Sequence, residues 1–201
     1  QVKKVRRTGF TIAPEAGSER MRRVINKGNK AGDLLQACRN AFSAGYELIK
    51  FYYLCGLPFE RDEDLIGMAK EARQALDIGL QHTRRAHINV SVSSLVPKPF
   101  TPFQWVQQAT REENRHKLDL VKYNLGDKRL KFKCHDENMS QIEGLFSRGD
   151  RRLSRVLYQA FVNGCRFDEW REHLRHDLWE KTFAETGVNL DFYLCRERGK
   201  D

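Results

Sequence analysis

The chain has no cluster of cysteines. Its five, Cys38, Cys55, Cys134, Cys165 and Cys195, stand far apart in 201 residues. An odd, scattered set in a chain of this size argues against a disulfide framework, and the spacing excludes a local zinc or iron-sulfur motif. Most of them read as plain buried or half-buried thiols. Long hydrophobic runs are missing too. None approaches the roughly 20 residues needed to span a bilayer, and no signal-peptide pattern opens the chain, so the expectation is a soluble, cytoplasmic protein with no membrane partner. Proline is scarce, and three of the five crowd into LVPKPFTPFQW. No internal repeat or low-complexity segment is visible.

Acidic residues are in deficit. Thirty-six Lys and Arg outweigh 27 Asp and Glu for a net charge of +9 and a pI near 9.4, a balance that suits nucleic acid or another polyanion. The charge is spread over Lys3 to Arg7, Arg20 to Arg23, Arg84 and Arg85, Arg151 to Arg155 and Arg196 to Lys200. No aromatic-interleaved basic motif of an RNA-binding module accompanies it. Solvated helix faces and a polyanion surface both remain open. The chain begins at Gln1 without a methionine and is basic from its third residue, which reads as a piece of a longer polypeptide.

The first hundred residues alternate strand and helix. Phe10 to Ala13 reads as a short strand. Met21, Val24 and Ile25 then give a helix one apolar face, and Leu34, Leu35, Cys38, Ala41 and Phe42 repeat helical spacing. Ile49, Phe51, Tyr53 and Cys55 mark a buried strand that stops at Gly56-Leu57-Pro58. A third amphipathic helix follows through Leu65, Met68, Ala69, Ala72 and Leu76. Ile88, Val90 and Val92 alternate with Asn89, Ser91 and Ser93 in another strand, ending at Val96-Pro97. Crossovers of this length predict βαβ units and a parallel sheet. Three such strands do not close a barrel. From Pro97 a stiff strap is expected, packed down by Phe100, Phe103 and Trp105. Leu118, Val121 and Leu125 mark a helix, RLKFKC reads as a half-exposed edge strand, and helices dominate thereafter.

Ligands of α/β sheets bind at the C-terminal ends of the strands, so the strand exits carry the candidates. Glu15 stands just beyond the first exit, before Gly17-Ser18. There it either accepts hydrogen bonds from a ligand, or it or Ser18 caps the following helix. Lys27 is either a carboxylate partner or a C-terminal helix charge meeting the dipole. At the second exit, Gly56 permits close backbone approach, Pro58 stiffens the turn, and bare peptide groups would meet the edge of a purine. In isolation Gly-x-Pro is an ordinary turn. The pairs His82 and His87, and His173 and His176, have no third ligand at a suitable spacing. In Cys134-His135-Asp136 adjacent strand residues point to opposite faces. Surface or structural roles are assigned to all of these.

Taken in order, the motifs resemble those of the radical S-adenosylmethionine (SAM) enzymes. TIAPEAGSERMRRVINKG resembles the segment at and after their fourth strand. FYYLCGLPFERDEDL is similar to their fifth-strand motif, commonly Gly-Leu-Pro-Gly-Glu, with Phe59 in place of the second glycine. SVSSLVPKPFTPFQW resembles the sixth strand and exit loop of a subgroup whose relatives often carry a cobalamin-binding-like domain. RGDRRLSRVLYQAFVNGCRFDEW and the closing DFY are similar to one branch of that subgroup.

The resemblance implies the C-terminal half of a partial parallel (β/α) barrel over residues 1–104 and a mainly helical extension with one edge strand over 105–201. It implies SAM as a cofactor bound by Glu15, Ser18, Lys27, Gly56, Leu57, Pro58, Val96 and Pro97, with Glu15 near its ribose or methionyl part, Lys27 at its carboxylate, and Gly56 to Pro58 and the Leu95 to Pro97 backbone flanking the adenine. The intact enzyme would use a 4Fe-4S cluster to cleave SAM and generate a 5'-deoxyadenosyl radical on an unidentified substrate, with a flavodoxin or ferredoxin as reductant. No residue here supports cobalamin. The family's C-x3-C-x2-C triad is absent, so the cluster ligands are expected upstream and this piece alone is expected to be inactive. The alternative is a non-catalytic RNA-binding module or degenerate remnant using the basic surface. An enzyme that modifies RNA would combine the two.

Overall fold

The computed structural model describes residues 9–196. They form two compact units that interleave along the chain. The first comprises residues 9–93 and 112–134, the second 94–111 and 135–196.

The first unit is α/β. Its elements run β1 (Phe10–Glu15), α1 (Glu19–Val24), α2 (Ala31–Ser43), β2 (Leu48–Cys55), α3 (Asp62–His82), β3 (His87–Ser94), α4 (Arg111–Leu125) and β4 (Leu130–Cys134). Four parallel strands lie in the order β1-β2-β3-β4, the order of the chain. Phe10 stands beside Ile49 and Ile12 beside Phe51, and Ile88 beside Leu130 and Val90 beside Phe132. Period-two alternation decides which side of the sheet is buried. Ile49, Phe51, Tyr53, Cys55, Ile88, Val90 and Val92 all face a core completed by Leu65, Met68, Ala69, Ala72, Leu118 and Val121 from α3 and α4. Each such large aliphatic side chain contributes about 1.5–3 kcal/mol of burial.

The β1–α1 loop meets α3 backbone to backbone. A Cβ on Gly17 would lie 2.1 Å from the Asp64 carbonyl oxygen, and one on Gly67 would lie 2.1 Å from the Gly17 carbonyl oxygen. Two glycines are therefore required for the loop to reach the helix, and this approach holds the first strand exit against α3.

LKFKC, all but the first residue of the expected RLKFKC strand, forms β4, the parallel edge strand of this sheet. The helix expected at Leu118 begins already at Arg111. Both lie beyond residue 104 in sequence, yet residues 112–134 belong to the α/β unit. Ladder pairing with β3 claims β4, and that pairing is not encoded in the local pattern of its five residues.

The second unit is helical: α5 (Glu137–Arg148), α6 (Leu153–Val162), α7 (His176–Thr186) and α8 (Leu190–Leu194). Leu145, Leu153, Val156, Ala160, Trp179, Tyr193 and Leu194 form its core. Asp136 caps α5 through the Asn138 and Met139 amides, and Gly187 ends α7 in the left-handed conformation favoured at a helix C-terminus. The proline-rich strap opens this unit but is packed down only in part, since Phe103 is half-buried while Phe100 is 97% exposed and Trp105 46%. Polar contacts anchor it instead. The Gln108 amide donates to the Leu194 carbonyl at 2.8 Å, its side chain donates to the Ser140 carbonyl at 2.9 Å, and Arg148 donates to the Val106 carbonyl at 2.6 Å. No helix among the described residues is long and apolar enough to cross a membrane.

Candidate functional site

The exit of β1 is strained. The ladder register breaks between Ile12 and Glu15, and Glu15 stands beside Tyr53 of β2 with φ at +68°. A non-glycine residue pays about 1–2 kcal/mol for left-handed backbone. The Glu15 side chain accepts a hydrogen bond from Lys27 Nζ at 2.9 Å, with the two side chains 29% and 30% exposed. Of the two roles open to Lys27, carboxylate partner is the one observed, and the carboxylate is Glu15 itself. Helix capping falls to Ser18, whose Oγ accepts the Met21 amide at 3.1 Å while its hydroxyl donates to Asp64.

At the exit of β2, Gly56 has φ at +79°, a conformation glycine adopts without penalty. Its N–H is not bare. It donates to Glu60 Oε2 at 2.8 Å, and Lys117 Nζ donates to the same oxygen at 3.0 Å. The purine edge expected at this amide therefore meets a carboxylate already in place. The Glu60 side chain is 1% exposed. Burial pushes its carboxyl above the usual range, against the opposing pull of the Gly56 amide and Lys117. Leu57 is buried at 4%, and its carbonyl accepts the Glu60 amide at 3.2 Å. Pro58 is half-buried. Phe59 has φ at +64°, a left-handed backbone that glycine would adopt without penalty, and is 80% exposed. Here Arg20 grips the Phe59 carbonyl at 2.9 Å.

Two polar networks under these exits escaped the sequence reading. Asp64, in the first turn of α3, accepts bonds from Ser18, Arg20 and the Arg61 amide. Burial pushes its carboxyl up, but Ser18, the Arg61 amide and Arg20 together hold it below the usual range. Deeper, the 2% exposed Arg22 donates to the Ala16 carbonyl at 2.6 Å and to Glu71 at 2.9 Å. The Tyr53 hydroxyl donates to the other Glu71 oxygen at 3.0 Å. Burial, then the Glu71 charge, raises the Tyr53 phenol well above its ordinary value, and burial raises the neighbouring Cys38 thiol to about 12. A short signal for Glu60 was present in the sequence, an acid four residues beyond a strand-ending glycine. Nothing local pointed to Arg22 and Glu71.

Six of the eight residues singled out lie in the α/β unit: Glu15, Ser18, Gly56, Leu57 and Pro58 at or just beyond the C-terminal ends of neighbouring parallel strands, and Lys27 beyond α1, from which its side chain reaches Glu15. Val96 and Pro97 lie in the other unit. The Glu15–Lys27 pair matches the two charged ends of an α-amino acid: an ammonium for a carboxylate and a carboxylate for an ammonium. The cysteines do not fit a cluster. Cys38, Cys55 and Cys165 are buried, and among the described residues no group of three His, Cys, Asp or Glu side chains is placed to hold a metal ion.

The chain is 31% identical over 151 residues to an uncharacterised protein of Methanocaldococcus jannaschii, an alignment covering 74% of this chain. This chain spans 32% of that relative's length. No family model matches the chain, and no solved structure matches it.

Proposed function

We propose that the chain forms part of a radical SAM enzyme and supplies one wall of its SAM site, the cluster being held by residues outside it. One observation carries the reading. A half-exposed Glu15–Lys27 pair stands at a left-handed exit of β1, beside the left-handed Gly56 exit of the adjacent strand. A pair this exposed contributes at most about 1 kcal/mol to stability, comparable to the strain stored at Glu15. Fold stability gives little reason to keep it, and strain of this kind concentrates at ligand sites. The SAM and cluster together would supply the hydrogen-abstracting radical. The residues of this chain would bind the methionyl end through Lys27 and Glu15 and shape the pocket with the two bends.

The test is anaerobic titration with SAM of a polypeptide that joins this chain to a cluster-binding segment, followed by assay for 5'-deoxyadenosine. Deoxyadenosine forms, and Lys27→Ala weakens SAM binding about tenfold, as expected for loss of one charge-assisted bond. Absence of SAM binding in the reconstituted protein, or affinity indifferent to Lys27 and Glu15, removes the assignment.

A further inference from the structure

The helical unit holds a cleft that its own packing does not explain. The start of α6, the end of α7 with the turn after it, and α8 enclose about 340 Å3, a volume within the range of small-molecule sites. The floor is closed, since Leu153, Val156 and Tyr193 are each 5% exposed or less. The hollow is therefore a depression above a finished core. Space beside Gly187 is open as well, because a Cβ there would meet nothing within 4 Å.

Charge at the cleft is of one sign. Among the described residues Arg152 and Arg155 line it and no carboxylate does. Asp150 holds Arg152 through hydrogen bonds of 3.0 and 2.6 Å, and the Arg152 guanidinium lies 5.4 Å from the centre of the Phe192 ring. Arg196 lies over the same ring at 3.9 Å. Stacking on an aromatic face accounts for these two arginines. It does not reach Arg155, which has no ion-pair partner among the described residues. Glu185, the acid that lines the adjoining hollow, is taken up by Lys181, Gln159 and Asn163. Arg152 and Arg155 stand three apart at the start of one helix, where like charges repel. Asn189 accepts the Phe192 amide through its Oδ1 at 3.1 Å, which leaves its own N–H groups for another partner. Folding gives no reason to gather cations and a spare donor around an apolar hollow, whereas a bound anion does.

We infer that this cleft binds a small molecule in which a phosphate or carboxylate is carried on a flat ring. Arg155 takes the oxyanion with Arg152 beside it, the guanidinium fork matching two oxygens at once. Asn189 donates a further hydrogen bond, and the ring packs against Phe192 above the apolar floor. The cleft lies wholly within the helical unit, so the inference is independent of the SAM reading.

The test titrates the 201-residue chain with phenyl phosphate, benzoate and inorganic phosphate and maps amide shifts by NMR. Shifts are expected at residues 152–156 and 186–193, and the tighter of the two ring compounds identifies the oxyanion. Inorganic phosphate, lacking the ring, binds more weakly. Arg155→Gln lowers affinity about tenfold through loss of one charge-assisted contact, and Arg175→Gln, outside the cleft, leaves it unchanged. Arg155 is exposed, so its replacement keeps the wild-type melting temperature; should Arg155→Gln fail to fold, Arg155→Met decides instead. Three outcomes overturn the inference: no shift in the cleft with either ring compound at millimolar concentration, affinity indifferent to Arg155, or inorganic phosphate bound as tightly as the ring compounds.

Discussion

The two units differ in how their charges find partners. In the α/β unit the ion pairs with a buried carboxylate join residues far apart in sequence: Arg22 and Glu71 are separated by 49 positions, Arg20 and Asp64 by 44, Lys117 and Glu60 by 57, while its exposed pairs Arg23 with Glu19 and Arg129 with Asp127 are local. In the helical unit many pairs are neighbours, Arg152 with Asp150, Arg175 with Asp177, Lys181 with Glu185, and all of these are open to solvent, where such pairs contribute little. The helical unit also balances basic against acidic residues, so much of the chain's net positive charge belongs to the α/β unit and the residues before it. The lesson concerns where function concentrates. Parallel strands end side by side whatever lies between them in the chain, and their exits gather polar groups that a helical array leaves dispersed.

Substitutions that break or sharpen this contrast begin with the deepest long-range pair. Arg22→Met leaves Glu71 buried and uncompensated and is expected to cost about 3–5 kcal/mol, read by urea denaturation with hydrogen exchange of the β2 amides. Adding Glu71→Leu recovers part of that loss. In the helical unit the largest single effect comes from apolar packing. Leu145, fully buried, costs about 2–5 kcal/mol on truncation to alanine, read by tryptophan fluorescence, since Trp105, Trp170 and Trp179 all lie in that unit. If an exposed helical pair such as Arg175 and Asp177 proved as costly to remove as Arg22, the contrast would collapse.

Glycines separate the units in a second way. Gly17→Ala drives a methyl into α3 backbone and is expected to lower stability by about 1–3 kcal/mol. Gly187→Ala has open space and is penalised only by its φ of +64°, about 1 kcal/mol. Thermal melting distinguishes crowding from torsion.

Asp64 gives a pH signature. Its folded carboxyl is held below the ordinary range, so the folded state takes up that proton less readily than the unfolded chain. The stabilisation is present at neutral pH and lost as pH falls below about 4, through the unfolded and then the folded value. Asp64→Asn flattens the acid limb of the stability curve and costs about 1 kcal/mol at pH 7, measured by urea melts across pH. The smallest effect has the opposite sign. Glu15→Gly relieves the left-handed strain and raises stability by about 0.5 kcal/mol, while SAM affinity in the reconstituted protein falls.

Much of the architecture was legible. Ile49, Phe51, Tyr53 and Cys55, and then Ile88, Val90 and Val92, alternate with the period that a half-covered strand imposes, and α3 follows its apolar spacing through Leu76 and closes at His82. The strand ends at Glu15 and Gly56 were also legible, because strand exits are marked by glycine, proline and charge. The membership of β4 was not, nor the exposure of Phe100 and Trp105, because an aromatic side chain in a proline-rich segment reads the same whether it is buried or free. Glu60 and the Arg22–Glu71–Tyr53 network were hidden for a related reason. Each depends on helices that approach a strand end from tens of residues away.

Periodicity and turn chemistry act over a few residues, so the order of strands and helices and the places where strands end are written directly in the amino acids of this chain. Which carboxylate closes the Gly56 turn and which guanidinium is buried beneath β1 are settled only when distant segments come into register. Hydrogen bonding and desolvation act between neighbours in space, and the packing of the parallel sheet chooses those neighbours.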